Sequence, residues 1–360
     1  MRTVVKIGTS SITTEHGDLD DAALVKLCGE IAQARRDGHD VVVVSSGAIA
    51  AGLPALGLAE RPNDIGTLQA VAAVGQPLLM ERMGAIFGED GVVAGQVLLT
   101  PHDFGHRTQY LHARETIDRL LDLEVVPIVN ENDTVADDEI RYGDNDRLAA
   151  LVSHLVGAEL LVLLTDTAGL YTADPRFDEQ ASLIEEIVEV DEALEAVAGG
   201  AGTVRGSGGM ASKLAAAKIA AWSGVRVVIA AADAPGVVLD AVAGRPVGTA
   251  VLPRPDRLSS RKLWIAFARA AAGRILVDAG ARRALTEQGR SLLPAGVISV
   301  EGAFDADDAV EVVADRAPFA KGIVRYSARA LRDVAGRRTS ELPEGLPHEV
   351  VHRDDLVVLP

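Results

Sequence analysis

From residue 1 to about residue 250, short apolar runs alternate with helical patterns, and this alternation leaves few architectures open. Val41-Val42-Val43-Val44 is an unbroken β-branched run, the signature of a strand buried on both faces of a parallel sheet. Similar runs stand at Val4–Ile7, Val92–Leu99, Val125–Val129, Leu160–Leu164 and Val225–Ala230. Between them, Leu24, Leu27, Cys28 and Ile31 recur at helical spacing before Asp37-Gly38, and residues 66–88 and 108–122 carry the same periodicity. Strands separated by helices predict an α/β, three-layer αβα sandwich around a mainly parallel central sheet. In such sheets ligands gather beyond the carboxyl ends of the strands.

The pattern changes near residue 253. Residues 253–262 hold two prolines and four basic residues, as a linker would. Short strands broken by glycines and acidic turns follow at Ile275–Val277, Gly296–Val300, Val310–Val313 and Gly322–Tyr326, which predicts a small β-rich barrel. The expected division is 1–252, a linker over 253–270, and 271–360. A length of 360 residues has room for both.

Charge narrows the partners. The net charge is −17, and it is uneven. From Leu263 onward there are 13 basic and 14 acidic residues, so the first 262 residues hold 22 of the 35 basic and 38 of the 52 acidic ones. Such a field disfavours nucleic acid and acidic membrane surfaces. No apolar stretch approaches the roughly 18 residues of a spanning helix, and the N-terminus lacks the features of a signal peptide. The single cysteine, Cys28, excludes an internal disulfide framework and falls among the apolar positions of its helix. A cytoplasmic setting is expected.

Five strand-end loops carry the polar chemistry. In Lys6-Ile7-Gly8-Thr9-Ser10-Ser11 a lysine ends a strand, where its ammonium is suited to a phosphate; a solvated lysine beside a turn is the plainer reading. Ser45-Ser46-Gly47-Ala48 opens a helix with small residues, as an anion cradle or a simple serine cap. Asn130-Glu131-Asn132-Asp133 and Arg141-Tyr142-Gly143-Asp144-Asn145-Asp146 bring carboxylates and amides to one strand end, which suits an amine-bearing ligand or a solvated acidic loop. Thr165-Asp166 ends another strand. Gly206-Ser207-Gly208-Gly209-Met210-Ala211-Ser212-Lys213 joins glycines to a helix start with a lysine in its first turn, the elements of a phosphate site. Neither a Walker A motif nor a dinucleotide-binding fingerprint is present. His102, His106 and His112 lack the register of a metal site.

Taken in order, these loops resemble the amino acid kinase superfamily, and the region from Gly273 on is similar to the PUA domain that many bacterial members append. The acceptor-side runs Gly47–Gly52, Asn130–Asp133 and Gly143–Asp146 match the members that phosphorylate the γ-carboxylate of L-glutamate at the start of proline synthesis. Members often carry Thr at the place of Ser207 and Lys at that of Arg141, and both differences keep the functional group type. The resemblance implies ATP as phosphoryl donor, with Mg²⁺ held mainly by ATP oxygens and water. It implies Lys6 near the transferring phosphoryl group, Lys213 on the leaving side, and Asp166 between them, orienting both ammonium groups. Thr165, Asp166, Ser207, Gly208, Gly209, Met210, Ala211, Ser212 and Lys213, with Lys6, would hold ATP. Ser46, Asp133 and Asn145 would hold glutamate, supported by Asn130, Arg141, Asp144 and Asp146. It further implies a homo-oligomer, inhibition by proline, and contact with glutamyl phosphate reductase. The alternatives are a sibling kinase acting on N-acetylglutamate or aspartate and, from another class, an RNA-binding protein, since PUA-like barrels occur there.

Overall fold

The computed structural model describes residues 1–14, 16–135, 144–199, 209–268, 271–343 and 345–359. The chain divides into two compact units, Met1–Arg257 and Leu258–Pro360.

The first unit begins with β1 (Arg2–Ile7), α1 (Asp21–Arg36), β2 (Asp40–Ser45), α2 (Ala48–Ala55) and α3 (Ile65–Glu89). β3 (Ala94–Leu99), α4 (Pro101–Gly105), α5 (Arg107–Asp122), β4 (Val126–Glu131), α6 (Asp144–Leu155) and β5 (Leu160–Thr165) follow. The unit closes with β6 (Glu186–Ile187), α7 (Glu192–Gly199), α8 (Met210–Trp222), β7 (Arg226–Ala231), α9 (Val237–Val242) and β8 (Thr249–Val251). The eight strands lie in the order β3-β4-β2-β1-β5-β7-β8-β6. Every pairing is parallel except that of β7 with β8.

Strand alternation decides which face each side chain meets. Val5, Ile7, Val41 and Val43 join one core with Leu24, Leu27 and Ile31 of α1, Leu79 and Met83 of α3, and Val237 and Val238 of α9. Lys6 is out of phase with them and points to the opposite face, where α6 packs on β1 and on α8. The Glu30 carboxylate closes the first face by accepting from Gly236 N and Val238 N at 2.9 Å each, capping α9.

The second unit starts inside the stretch expected to be linker. Ser260–Leu263 forms α10, continued by a π-helical turn over Trp264–Ala268, because Leu263 and Ile265 are buried. It adds β9 (Gly273–Val277), α11 (Ala279–Thr286), β10 (Val297–Gly302), β11 (Ala309–Ala314), β12 (Ala317–Val324), α12 (Ala328–Val334) and β13 (Val351–Val358). These strands form a separate sheet, β10-β9-β11-β12-β13, antiparallel except for β9 with β11. Its core gathers Val310, Val312, Val324, Leu331 and Val351.

One contact fixes the helices beside the strand ends. Gly47, with φ of 106°, turns the chain from β2 into α2 in a conformation that L side chains rarely adopt. α3 then presses on α2 so closely that a Cβ on Gly75 would run into the Ala48 carbonyl oxygen and stand 2.5 Å from Gly52 N. Gly75→Ala would gain about 1 kcal/mol of helix propensity but force two backbones apart at a cost of about 3 kcal/mol. We expect net destabilisation of the first unit by about 2 kcal/mol in urea unfolding; a change inside about 0.5 kcal/mol would show that the helices separate freely.

Candidate active site

Lys6, Asp146 and Lys213 come from three elements and meet at the carboxyl edge of the sheet. Lys6 is the penultimate residue of β1, and Asp146 and Lys213 sit in the first turns of the adjoining helices α6 and α8. All three are buried, at 4 %, 0 % and 5 % exposure. Lys6 Nζ stands 2.6 Å from Asp146 Oδ1 and Lys213 Nζ 3.2 Å from Asp146 Oδ2. Ser212 Oγ lies 2.7 Å from the same Oδ2 as donor. A Cβ on Gly8 would stand 3.2 Å from Lys6 Nζ, so glycine there keeps the ammonium uncrowded.

The electrostatics turn on the shared carboxylate. Two ammonium groups meet one carboxylate out of water, an arrangement that is costly unless charges and hydrogen bonds are well matched. Burial pushes the Lys6 ammonium below its ordinary value and the neighbouring Lys213 adds to this, while Asp146 opposes it. Burial pushes the Asp146 carboxyl up, but the charges of Lys6 and Lys213 and the bonds from Lys6 and Ser212 outweigh it and hold it below the usual range. Gly209, the N-cap of α8, has no side chain with which to cap the first turn, whose amides and dipole favour an anion.

The position between the lysines therefore belongs to Asp146 and corrects the expectation for Asp166. The β1–β5 register pairs Lys6 with Leu163, so Lys6 shares its face with Leu163 and Thr165, and Asp166 falls out of phase. Asp166 is exposed and accepts from Thr165 Oγ1 at 3.1 Å. With Thr165 it lines a cavity of about 410 Å³ on the α1 side, together with Ser10, Ser11, Asp20 and Lys26.

The amide residues cluster next to the lysines. Asn145 of α6 donates through Nδ2 to Ser46 Oγ at 3.0 Å and to Asn130 Oδ1 at 3.1 Å. Asn130, at the end of β4, is 1 % exposed. Asp133 opens a short 3-10 turn just after that strand, and α3 packs beside this turn. Asp144 is the first residue of α6, and Gly209, Met210, Ala211 and Ser212 lead into and open α8. Arg141, Ser207 and Gly208 lie outside the described residues. His106 Nδ1 lies 3.1 Å from the His102 carbonyl oxygen, and among the described residues no group of three or more His, Cys, Asp or Glu is placed to hold a metal. Among them also, no helix is long and apolar enough to cross a membrane.

Sequence reading passed over Gln76. It is 9 % exposed, and its Oε1 accepts from Asn130 Nδ2 at 2.7 Å. The signal was present: Gln76 falls in phase with the buried stripe Leu68, Val71, Ala72, Leu79 and Met83, a polar residue at a core position.

Removing the Asp146 charge leaves two buried ammonium groups facing each other, and Asp146→Asn should destabilise the first unit by about 3–5 kcal/mol near neutral pH. The folded carboxyl sits below its ordinary value of about 3.9, so its contribution is complete above that value and fades as pH falls through the lower, folded one. The gap between parent and variant in urea unfolding should therefore narrow on acidification; a gap independent of pH would contradict the ion cluster.

Comparison with known proteins identifies the family. Residues 1–231 match the amino acid kinase family and residues 273–346 the PUA domain. The glutamate 5-kinase of Mycobacterium avium (strain 104) is 49% identical over 358 residues, covering 99% of this chain and 96% of that protein. The glutamate 5-kinase of Mycobacterium tuberculosis (strain ATCC 25618 / H37Rv) is 50% identical over 358 residues, 99% of this chain and 94% of that protein. Among solved structures, the UMP kinase of Bacillus anthracis is similar with a TM-score of 0.50 at 14% identity, over 70% of this chain and 96% of that one, a likeness of fold alone. The chain belongs to the amino acid kinase family, on its glutamate 5-kinase branch.

Proposed function

We propose that this chain transfers the γ-phosphoryl group of ATP to the γ-carboxylate of L-glutamate, giving γ-glutamyl phosphate and ADP. The observation that carries the reading is the buried Asp146 shared by Lys6 and Lys213 beside the Ser46–Asn145–Asn130 cluster. A glutamate carboxylate is ionised at neutral pH, so this nucleophile needs no general base. What opposes reaction is the approach of one anion to another. Phosphoryl transfer is catalysed mainly by positioning and charge stabilisation, and two ammonium groups held by one carboxylate supply both.

In the proposed step, a γ-carboxylate oxygen attacks the γ-phosphorus in line as the bond to the β-phosphate oxygen breaks. Lys6 faces the transferring phosphoryl group, and Lys213, in the first turn of α8, faces the leaving side. Asp146 orients both and stays ionised throughout. The nucleoside is assigned to the β5 and β7 side, with Thr165 and Asp166 at the cavity wall. The Gly209–Ser212 segment offers backbone amides to phosphate oxygens. Mg²⁺, where required, would be held chiefly by nucleotide oxygens and water. Ser46, Asn145 and Asp133 are assigned to glutamate, and the carboxylates and amides of this loop suit its α-ammonium group. An N-acetylated amino acid lacks that ammonium group, which disfavours the sibling kinase. Proline, chemically a cyclised relative of glutamate, is proposed to compete in the same pocket. A homo-oligomer and hand-over of the labile acyl phosphate to glutamyl phosphate reductase complete the reading, and the cytoplasm is its proposed setting.

ADP release measured with L-glutamate, N-acetyl-L-glutamate and L-aspartate in turn tests the substrate, and turnover is expected with L-glutamate. Turnover confined to either of the others would replace this reading with the sibling kinase. Lys213→Ala should lose about 10²-fold or more in kcat, as when one transition-state charge donor is removed; near-parent turnover would remove the lysine from the reaction. Asp133→Ala should raise the glutamate KM and leave the ATP KM nearly unchanged, whereas equal effects on both would show that the acceptor loop is misassigned.

A further inference from the structure

The hydrogen bonds around Asn130 have only one self-consistent polarity. Glu131 N–H is a donor without ambiguity, and it meets Asn130 Oδ1 at 2.8 Å, so that atom is an acceptor. Asn145 Nδ2 donates to the same oxygen at 3.1 Å. The Asn130 amide nitrogen is then left to donate, and its partner at 2.7 Å is Gln76 Oε1. Gln76 Nε2 in turn donates to Gln96 Oε1 at 3.3 Å.

The consequence falls on Asn145. Both of its amide protons are spent, on Asn130 Oδ1 and Ser46 Oγ. Among the described residues, its Oδ1 is buried without a hydrogen-bond partner. A buried acceptor left unpaired is unfavourable until a donor meets it. Ser46 Oγ, already accepting, keeps its own proton to donate outward. The cluster thus holds an acceptor at Asn145 and a hydroxyl donor at Ser46, a pair that matches an ammonium group and a carboxylate on one amino acid.

We propose that Gln76 is a positioning residue that, together with the Glu131 N–H, holds the Asn130 amide in place and through it Asn145 Oδ1 as the acceptor for the α-ammonium of the amino acid substrate. The inference rests on the glutamate reading above. Gln76 is itself held in place, because Gly75 beside it makes the close backbone contact with Ala48 and Gly52 that locks α3 on α2. With an apolar residue at 76, Asn130 Nδ2 loses its partner at a buried site, the amide is held through Oδ1 alone, and its displacement to find a new acceptor carries Asn145 with it.

A double-mutant cycle on the full chain, read by steady-state ADP release with L-glutamate and ATP, tests this. Gln76→Met and Asn145→Ala should each raise the glutamate KM about tenfold, the worth of one buried hydrogen bond, with the ATP KM within about twofold of the parent. The double variant should stay within about twofold of Asn145→Ala, since Gln76 acts through Asn145. Gln76→Glu keeps an acceptor for Asn130 Nδ2 and should return the glutamate KM to within about threefold of the parent. If Gln76→Met does not fold, Gln76→Asn, too short to reach Asn130, carries the same expectation. An unchanged glutamate KM at position 76, full additivity with Asn145→Ala, or equal rises for both substrates overturns the proposal while the glutamate reading stands. An unchanged glutamate KM in Asn145→Ala overturns the acceptor-site assignment, and this inference with it.

Discussion

The carboxylate of Asp146, shared by two buried ammonium groups, is the interaction on which the site depends. Burial favours loss of the Lys6 proton, and the neighbouring Lys213 charge adds to this. A carboxylate placed between them opposes that loss and keeps the tips close, at 2.6 and 3.2 Å from its two oxygens. Two ammonium groups held together in this way attract a phosphate-bearing ligand. Stability and function pull in opposite directions here, as is common where charge is stored in a protein interior.

The fold supplies this geometry through strand parity and parallel connections. Because β1 lies at the centre of the sheet, its carboxyl end is flanked by the ends of β2 and β5, and the residues beyond them converge. Lys6 faces α6 and α8 while Val5 and Ile7 face α1, so one strand contributes both to the apolar core and to the charged cluster. The close α2–α3 contact at Gly75 serves the proposed acceptor side, where Gln76 meets Asn130 and Ser46 meets Asn145. Lysines and amides thus meet on rigid elements, as the alignment of two anionic reactants requires.

Much of this was legible in the amino-acid sequence, and the gaps have physical causes. Continuous apolar runs such as Val41–Val44 announce buried parallel strands, and polar loops after them mark the site. Asp166 was given the place that Asp146 holds because loop order along the chain does not reveal which face of the sheet a side chain meets. That depends on the Lys6–Leu163 register, a non-local fact. Gln76 sits in an apolar helix far from every recognisable loop, and only tertiary packing shows that it reaches Asn130. β13 runs through His352-Arg353-Asp354-Asp355, whose polar side chains hide the strand, and the two-residue β6 is too short to leave a period.

The central claim is that Asp146, and not Asp166, orients the two lysines for phosphoryl transfer. Its most direct test is the kcat for glutamate-dependent ADP release of Asp146→Asn beside Asp166→Asn, at a temperature where both variants are folded. The account predicts a loss of about 10²-fold or more for Asp146→Asn and of less than about tenfold for Asp166→Asn. The reverse order, with Asp146→Asn turning over near the parent rate and Asp166→Asn inactive, would contradict it.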